Sequence, residues 1–319
     1  MSNSLTYILD TNFLITLGEI GELASLSSIA SVVIPNDVLL ELSKYDEYQG
    51  RNSLNLHTAL LAIAKTGKGF SFIDATHEQK SELIRQITSN LEGSNLNFLI
   101  ELEQQLGNVS TSKDWYRFPS VILLTSRQVK ALQNCVSTTQ LTSIGTYRKD
   151  ENNIALEHAD MHVCTLGCSL HLSYIISMDS QIWKTLIHVD PNQRQKIVTI
   201  FRYLAEIHRD HPDSFIDALI KTIEKRHKFA SEITGSFSST ICFFDLEKSV
   251  ENVLARYVSD VIEQKRWKDG ASCAKLFNLK TRVRSLLSSN NPTSISFDQG
   301  IFIRDLRSMK QEFINLKTS

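Results

Sequence analysis

Twice in this chain a short apolar run ends on a carboxylate and passes at once into a polar turn and a helix. The first is Leu5-Thr-Tyr-Ile-Leu-Asp10-Thr-Asn, and the second is Leu172-Ser-Tyr-Ile-Ile-Ser-Met-Asp179. Buried parallel strands read as such apolar runs, and open α/β sheets bind ligands beyond the carboxyl ends of their strands. Asp10 and Asp179 are therefore placed where a sheet of that kind puts its chemistry. Taken singly, either acid reads as a helix N-cap; taken as a pair, they predict one sheet with two acids at one edge.

The intervening residues supply further strands and helices. Residues 12–28 predict a helix on Phe13, Leu17, Ile20, Leu23 and Leu26, weakened by Gly18 and Gly21. A strand over 30–34 closes at Pro35, and a helix follows in which Val38, Glu41, Leu42 and Tyr45 recur at helical spacing. Glu41 thus shares an apolar stripe, where a carboxylate needs a cation, hydrogen bonds or a metal, unless it reaches solvent at the stripe's edge. Residues 54–64, 77–91 and 96–106 predict helices, 70–73 and 121–124 strands, and 135–149 a loop. Residues 154–170 predict a helix carrying Glu157 and Asp160 one turn apart on one face.

Behind residue 190 the pattern is helical. Ile197, Ile200, Phe201, Leu204 and Ile207 make one stripe, a helix starts at Pro212, and others span about 246–263, 271–287 and 300–316. Residues 1–190 carry 13 Lys+Arg against 20 Asp+Glu, a balance of −7, and residues 191–319 carry 21 against 15, a balance of +6. An acidic front suits cations and a basic rear suits phosphates. The basic residues Lys265, Arg266, Lys268, Lys280, Arg282 and Arg284, with Trp267 among them, are candidates for holding a nucleic-acid backbone and stacking a base. The other reading is a solvated helix face with Trp267 as a core anchor.

Five scattered cysteines argue for reduced thiols. Cys164 and Cys168 lie near His162 and His171, but structural zinc takes ligand pairs from two segments, so these read as buried helix cysteines beside solvated histidines. No apolar run approaches the ~18 residues of a membrane span and the N-terminus lacks a basic signal region, so a cytoplasmic protein without membrane attachment is expected.

The order Ile8-Leu-Asp10-Thr-Asn12, Val33-Ile-Pro35 with Glu41 six residues on, Ala159-Asp160 and Ser177-Met-Asp179 resembles the PIN-domain nucleases, including the ribonuclease toxins of toxin-antitoxin pairs. The resemblance covers residues 5–48 and 153–186. It implies a three-layer α/β/α domain with a central parallel sheet over 1–190; the chain departs from compact members of the family by an expansion at about 49–152, and its own helical pattern adds an all-α domain over 191–319. It further implies a metal-dependent endoribonuclease whose Mg²⁺ or Mn²⁺ is held by Asp10, Glu41, Asp160 and Asp179, with Asn12 and Ser177 as accessory residues; Glu157, one turn from Asp160, is a further accessory candidate on spacing alone. The partners implied are an RNA substrate, a protein inhibitor or partner, and a second copy of the chain. Hard divalent ions prefer carboxylate and water oxygens, so the four acids suit that chemistry on their own account. The alternative is a noncatalytic module of the same fold that binds RNA or protein. Haloacid dehalogenase phosphatases also begin with Asp-Thr, but they require an Asp where this chain has Asn12.

Overall fold

The computed structural model describes residues 5–49, 55–67, 69–91, 98–101, 121–124, 154–225, 245–246, 248–250, 252–253, 281 and 299–318. Its centre is a five-stranded parallel sheet of β1 (Thr6–Leu9), β2 (Val32–Ile34), β3 (Phe70–Phe72), β7 (Ser173–Ile176) and β8 (Ile197–Val198), in the order β3-β2-β1-β7-β8. The fold is α/β. β1 is the middle strand, the chain winds outward from it through β2 to β3, and β7 and β8 lie on its other side. Strand order therefore reverses between β1 and β7, the position at which open sheets leave a crevice beyond their carboxyl ends. Those two strands pair along their full length, Thr6 with Ser173 through Leu9 with Ile176.

The first helix, α1 (Thr11–Ile20), is shorter than the periodicity predicts. Gly21 takes φ +80 and ends it, and residues Leu23–Ser28 continue as a 3₁₀ turn. Gly18 permits close packing, since a Cβ there would stand 2.1 Å from Leu56 Cδ2 on α3 (Leu56–Thr66). Between β2 and α3 runs α2 (Asn36–Gln49), whose first residue is held by Asp74: its backbone N–H and side-chain amide each donate to that carboxylate at 2.9 Å. After β3 comes α4 (His77–Ser89), begun by a Thr76–Gln79 capping box.

Three sequence expectations are corrected here. Residues 98–101, expected within a helix, form β4 (Phe98–Glu101), which pairs antiparallel with β5 (Val121–Leu124). Ile154–Leu156, expected as the first turn of a helix, is β6, antiparallel to β5, and the helix α5 (His158–Ser169) begins only after it. A short apolar triplet has no periodicity of its own, so the partner strand decides its state. Ile197 and Val198, expected in a helical stripe, add β8 to the parallel sheet beside β7. The rear of the chain is thus not wholly helical from residue 191.

Compact packing divides the chain into residues 1–18 with 23–198, and 19–22 with 199–319. Within the second unit, α7 (Ile200–Ile207) and α8 (Pro212–Lys225) bury Phe201, Leu204, Phe215, Leu219 and Ile223. There α9 (Gln299–Thr318) is joined to α8 by ion pairs of Lys310 with Asp217 and Arg307 with Glu224. In the first unit, α6 (Ser180–Val189) follows β7 and buries Trp183 completely, with its Nε1–H donating to Ser177 O at 3.1 Å. No described helix is long and apolar enough to cross a membrane.

Candidate functional site

The acids converge because parallel strands end together. Asp10 follows β1 directly, and its backbone N–H donates to Ile176 O at the end of β7 (3.2 Å). Its side chain is 2% exposed, and Ser177 Oγ donates to Asp10 Oδ2 at 2.8 Å. The same Ser177 oxygen accepts the Asp179 N–H at 2.9 Å. A single hydroxyl thereby joins the two strand ends that the sequence predicted to meet. Asp179 is half-buried and also caps α6, its Oδ1 accepting the Gln181 N–H at 2.6 Å. N-cap and cluster member are the same residue.

The remaining acids come from helices. Asp160 is buried in the first turn of α5 and its Oδ2 accepts the N–H of Glu157, the N-cap residue, at 3.2 Å. Glu157 and Asp160 are side by side as expected, although a capping arrangement rather than a longer helix places them so. Glu41, on α2, has Oε2 bonded by Thr11 Oγ1 at 2.5 Å, while its Oε1 is shielded from solvent with no hydrogen-bond partner. An acid on the apolar stripe of α2, expected to need a partner, has one for only half of its carboxylate. Asn12 is exposed.

Electrostatics tie these groups into one cluster. The Asp10 carboxyl is pushed from 3.8 to about 7, first by burial, then by the charge of Asp179, against the pull of the Ser177 hydroxyl and the Thr11 backbone, with Glu157 adding to the rise. Glu41 is raised well above the ordinary glutamate value by burial and then by Glu157, with Asp10 and Asp37 contributing. Burial raises Asp160 as well, followed by the charges of Asp179, Glu157, Asp10 and Glu41. Each raised carboxyl thus feels at least two of the other acids. Such a set disfavours full ionisation until a cation or protons neutralise it.

Comparison with protein-family models, curated proteins and solved structures found no match.

Among the described residues, no group of three or more His, Cys, Asp or Glu side chains is disposed to hold a metal ion. Asp160 and Asp179 are turned to backbone N–H groups, and Glu41 to Thr11. The cluster nevertheless fits a hard divalent ion in its chemistry, since every donor is a carboxylate oxygen and one of them, Glu41 Oε1, is buried without a partner.

Three residues that shape the site escaped the sequence reading. Thr11 was passed over although it is a hydroxyl adjoining the first acid. Gln181 Oε1 accepts the Ala155 N–H at 3.0 Å, which fastens β6 to the start of α6; nothing in the sequence signals that pairing. His162, read as solvated, is buried, and Cys164 is buried while Cys168 is half-buried. His171 is exposed. The basic candidates Lys265, Arg266, Trp267, Lys268, Lys280, Arg282 and Arg284 lie outside the described residues.

Proposed function

We propose that this protein is a metal-dependent endoribonuclease of PIN type, hydrolysing RNA phosphodiester bonds at the carboxyl edge of a three-layer α/β/α domain. The observation that carries the proposal is the junction of β1 and β7, where Ser177 bonds Asp10 and receives the Asp179 N–H, with the buried Asp160 and the half-buried Glu41 in the same acidic cluster. Acids from four separate places in the sequence are brought to one switch point. A fold that only needed stability would gain little from burying like charges together.

Mg²⁺ or Mn²⁺ would be held by Asp10, Glu41, Asp160 and Asp179. Bound there, it would supply positive charge to activate water and to stabilise the leaving oxygen of the phosphodiester. Ser177 fixes the orientation of Asp10, and Thr11 holds Glu41 by Oε2, leaving the buried Oε1 without a hydrogen-bond partner. With a metal bound, that oxygen would orient the attacking water or complete the ligand set, and Glu157 would add negative charge beside it. The fully buried Trp183 holds the Ser177 carbonyl and so keeps the turn between the two acids rigid.

The second reading, a noncatalytic module of the same fold, is favoured by the absence of a ready ligand group among the described residues. Mn²⁺-stimulated cleavage of RNA by the full chain separates the two. Asp10→Asn is expected to abolish cleavage with an unchanged circular dichroism spectrum. Equal cleavage by the variant would refute the site, and a wild-type protein that neither binds Mn²⁺ nor cleaves would leave the module.

A further inference from the structure

Beside the acidic cluster, one buried side chain is fastened to three separate elements. His162 lies on α5, two residues beyond Asp160, and is 6% exposed. Its Nδ1 accepts the Ala75 N–H at 2.9 Å, from the segment that follows β3. An imidazole nitrogen that accepts carries no proton, so the neutral ring has its N–H at Nε2. Nε2 faces Asp37 Oδ2 at 3.4 Å, in the first turn of α2. The Asp37 carboxyl lies below the usual aspartate value, chiefly through its hydrogen bond with His162. Asp74, next to Ala75 and 3.8 Å from Nδ1, is itself bonded to Asn36 at the start of α2.

Leaving either nitrogen of a buried imidazole without its partner is costly. Both are satisfied only when α2, α5 and the segment at residues 74–75 stand at one mutual spacing. Glu41 follows Asp37 by four residues, one turn along the same face of α2. The spacing that satisfies His162 is therefore also the spacing that sets Glu41 against the N-terminal end of α5, where Glu157 is the acid whose charge it feels most. An ordinary core histidine would fill volume without coupling these two acids.

We propose that His162 is a positioning residue for the acidic cluster, clamping α2 against α5 through Asp37 and Ala75 so that Glu41 stands at the N-terminal end of α5. This rests on reading the cluster as a Mg²⁺ or Mn²⁺ site. The contacts of His162 differ in kind, and substitutions separate them. His162→Asn retains an acceptor near Nδ1 for the Ala75 N–H but removes the donor to Asp37. His162→Gln places an amide donor near the Nε2 position.

The test is Mn²⁺ titration of the full-length protein by isothermal calorimetry, without RNA. His162→Asn is expected to weaken Mn²⁺ binding about tenfold, the lower end of what loss of a supporting partner costs a metal site, and His162→Gln to recover most of that loss. In a Glu41→Gln background, His162→Asn should cause no further weakening, because its effect passes through Glu41. Asp37→Ala, which removes the acceptor for Nε2–H at a half-buried residue with little packing to lose, gives the same about-tenfold weakening if His162 variants do not fold. Wild-type affinity in both His162→Asn and Asp37→Ala, or an undiminished effect of His162→Asn in the Glu41→Gln background, overturns the clamp. A wild-type protein that binds no Mn²⁺ fails earlier, refuting the metal-site reading and the clamp with it.

Discussion

Replacing Asp10 by Asn should stabilise the protein at alkaline pH even as it destroys the proposed activity. The side chain is 2% exposed, and its carboxyl is raised from 3.8 to about 7 by burial and by Asp179. The folded chain thus holds this proton more tightly than the unfolded chain does. Stability present in full below about pH 4 is lost as pH rises to about 7, and stays lost above it. At about 1.4 kcal/mol for each tenfold change in proton affinity, the ionised Asp10 costs the fold about 4 kcal/mol. Asn is close to the protonated carboxyl in shape, still accepts from Ser177, and does not titrate. The expected result is near-equal stability of variant and wild type at pH 4, and a gain on the order of 10 °C in melting temperature for the variant at pH 8. Thermal unfolding by circular dichroism in a chelator, read as variant minus wild type, cancels the titration of other groups. Mn²⁺ should then raise the wild-type midpoint at pH 8 and leave that of Asp10→Asn unchanged. A variant that shows no pH-dependent gain refutes the buried, like-charged environment from which the magnitude was worked.

Ser177→Ala removes a hydrogen bond that favours the ionised Asp10, so the acid limb of the pH profile for Mn²⁺-dependent cleavage should move to higher pH; an unmoved limb would separate Ser177 from Asp10 in function. Trp183→Phe leaves the Ser177 carbonyl without its donor and opens space in a filled core, so urea denaturation should show a loss of about 2–3 kcal/mol. Gly69→Ala should cost about 2–4 kcal/mol by the same measurement, because Gly69 has φ +97 and a Cβ would stand 2.0 Å from Ala30 O. A smaller loss would mean that the β2–β3 edge rearranges freely.

Much of the central sheet could be read in advance where a residue with a fixed backbone preference or a carboxylate marks the end of an apolar run. β1 and β7 end before Asp10 and Ser177-Met-Asp179, and β2 stops at Pro35. The failures are strands of two to four residues: β4 and β6, whose residues the pattern puts in helices, and β8, whose residues it puts in a helical stripe. Runs of two to four apolar residues carry no decisive period, and only the neighbouring strand fixes them. The acids were legible by their places at strand ends and on an apolar helix face. That Asp10 and Asp179 meet was an expectation of the repeated pattern; the hydrogen bonds that join them and the burial around Asp10 were not legible, since they depend on how β7 lies beside β1. The partners Thr11, Gln181 and His162 were missed for the same reason, because a hydroxyl, an amide or an imidazole becomes informative only when its counterpart is known.

The sequence by itself determined which residues can carry charge at the ends of buried strands, because alternation, punctuation and acid placement are local properties of the chain. It also placed an acid, Glu41, on an apolar stripe, where a carboxylate needs a partner unless it reaches solvent. Only the tertiary structure decided that these acids share one site, that Asp179 is both cap and cluster member, and that Asp10 reaches a value of about 7. Burial and like-charge repulsion act through space, between groups as far apart in sequence as Asp10 and Asp179, and no local pattern encodes them.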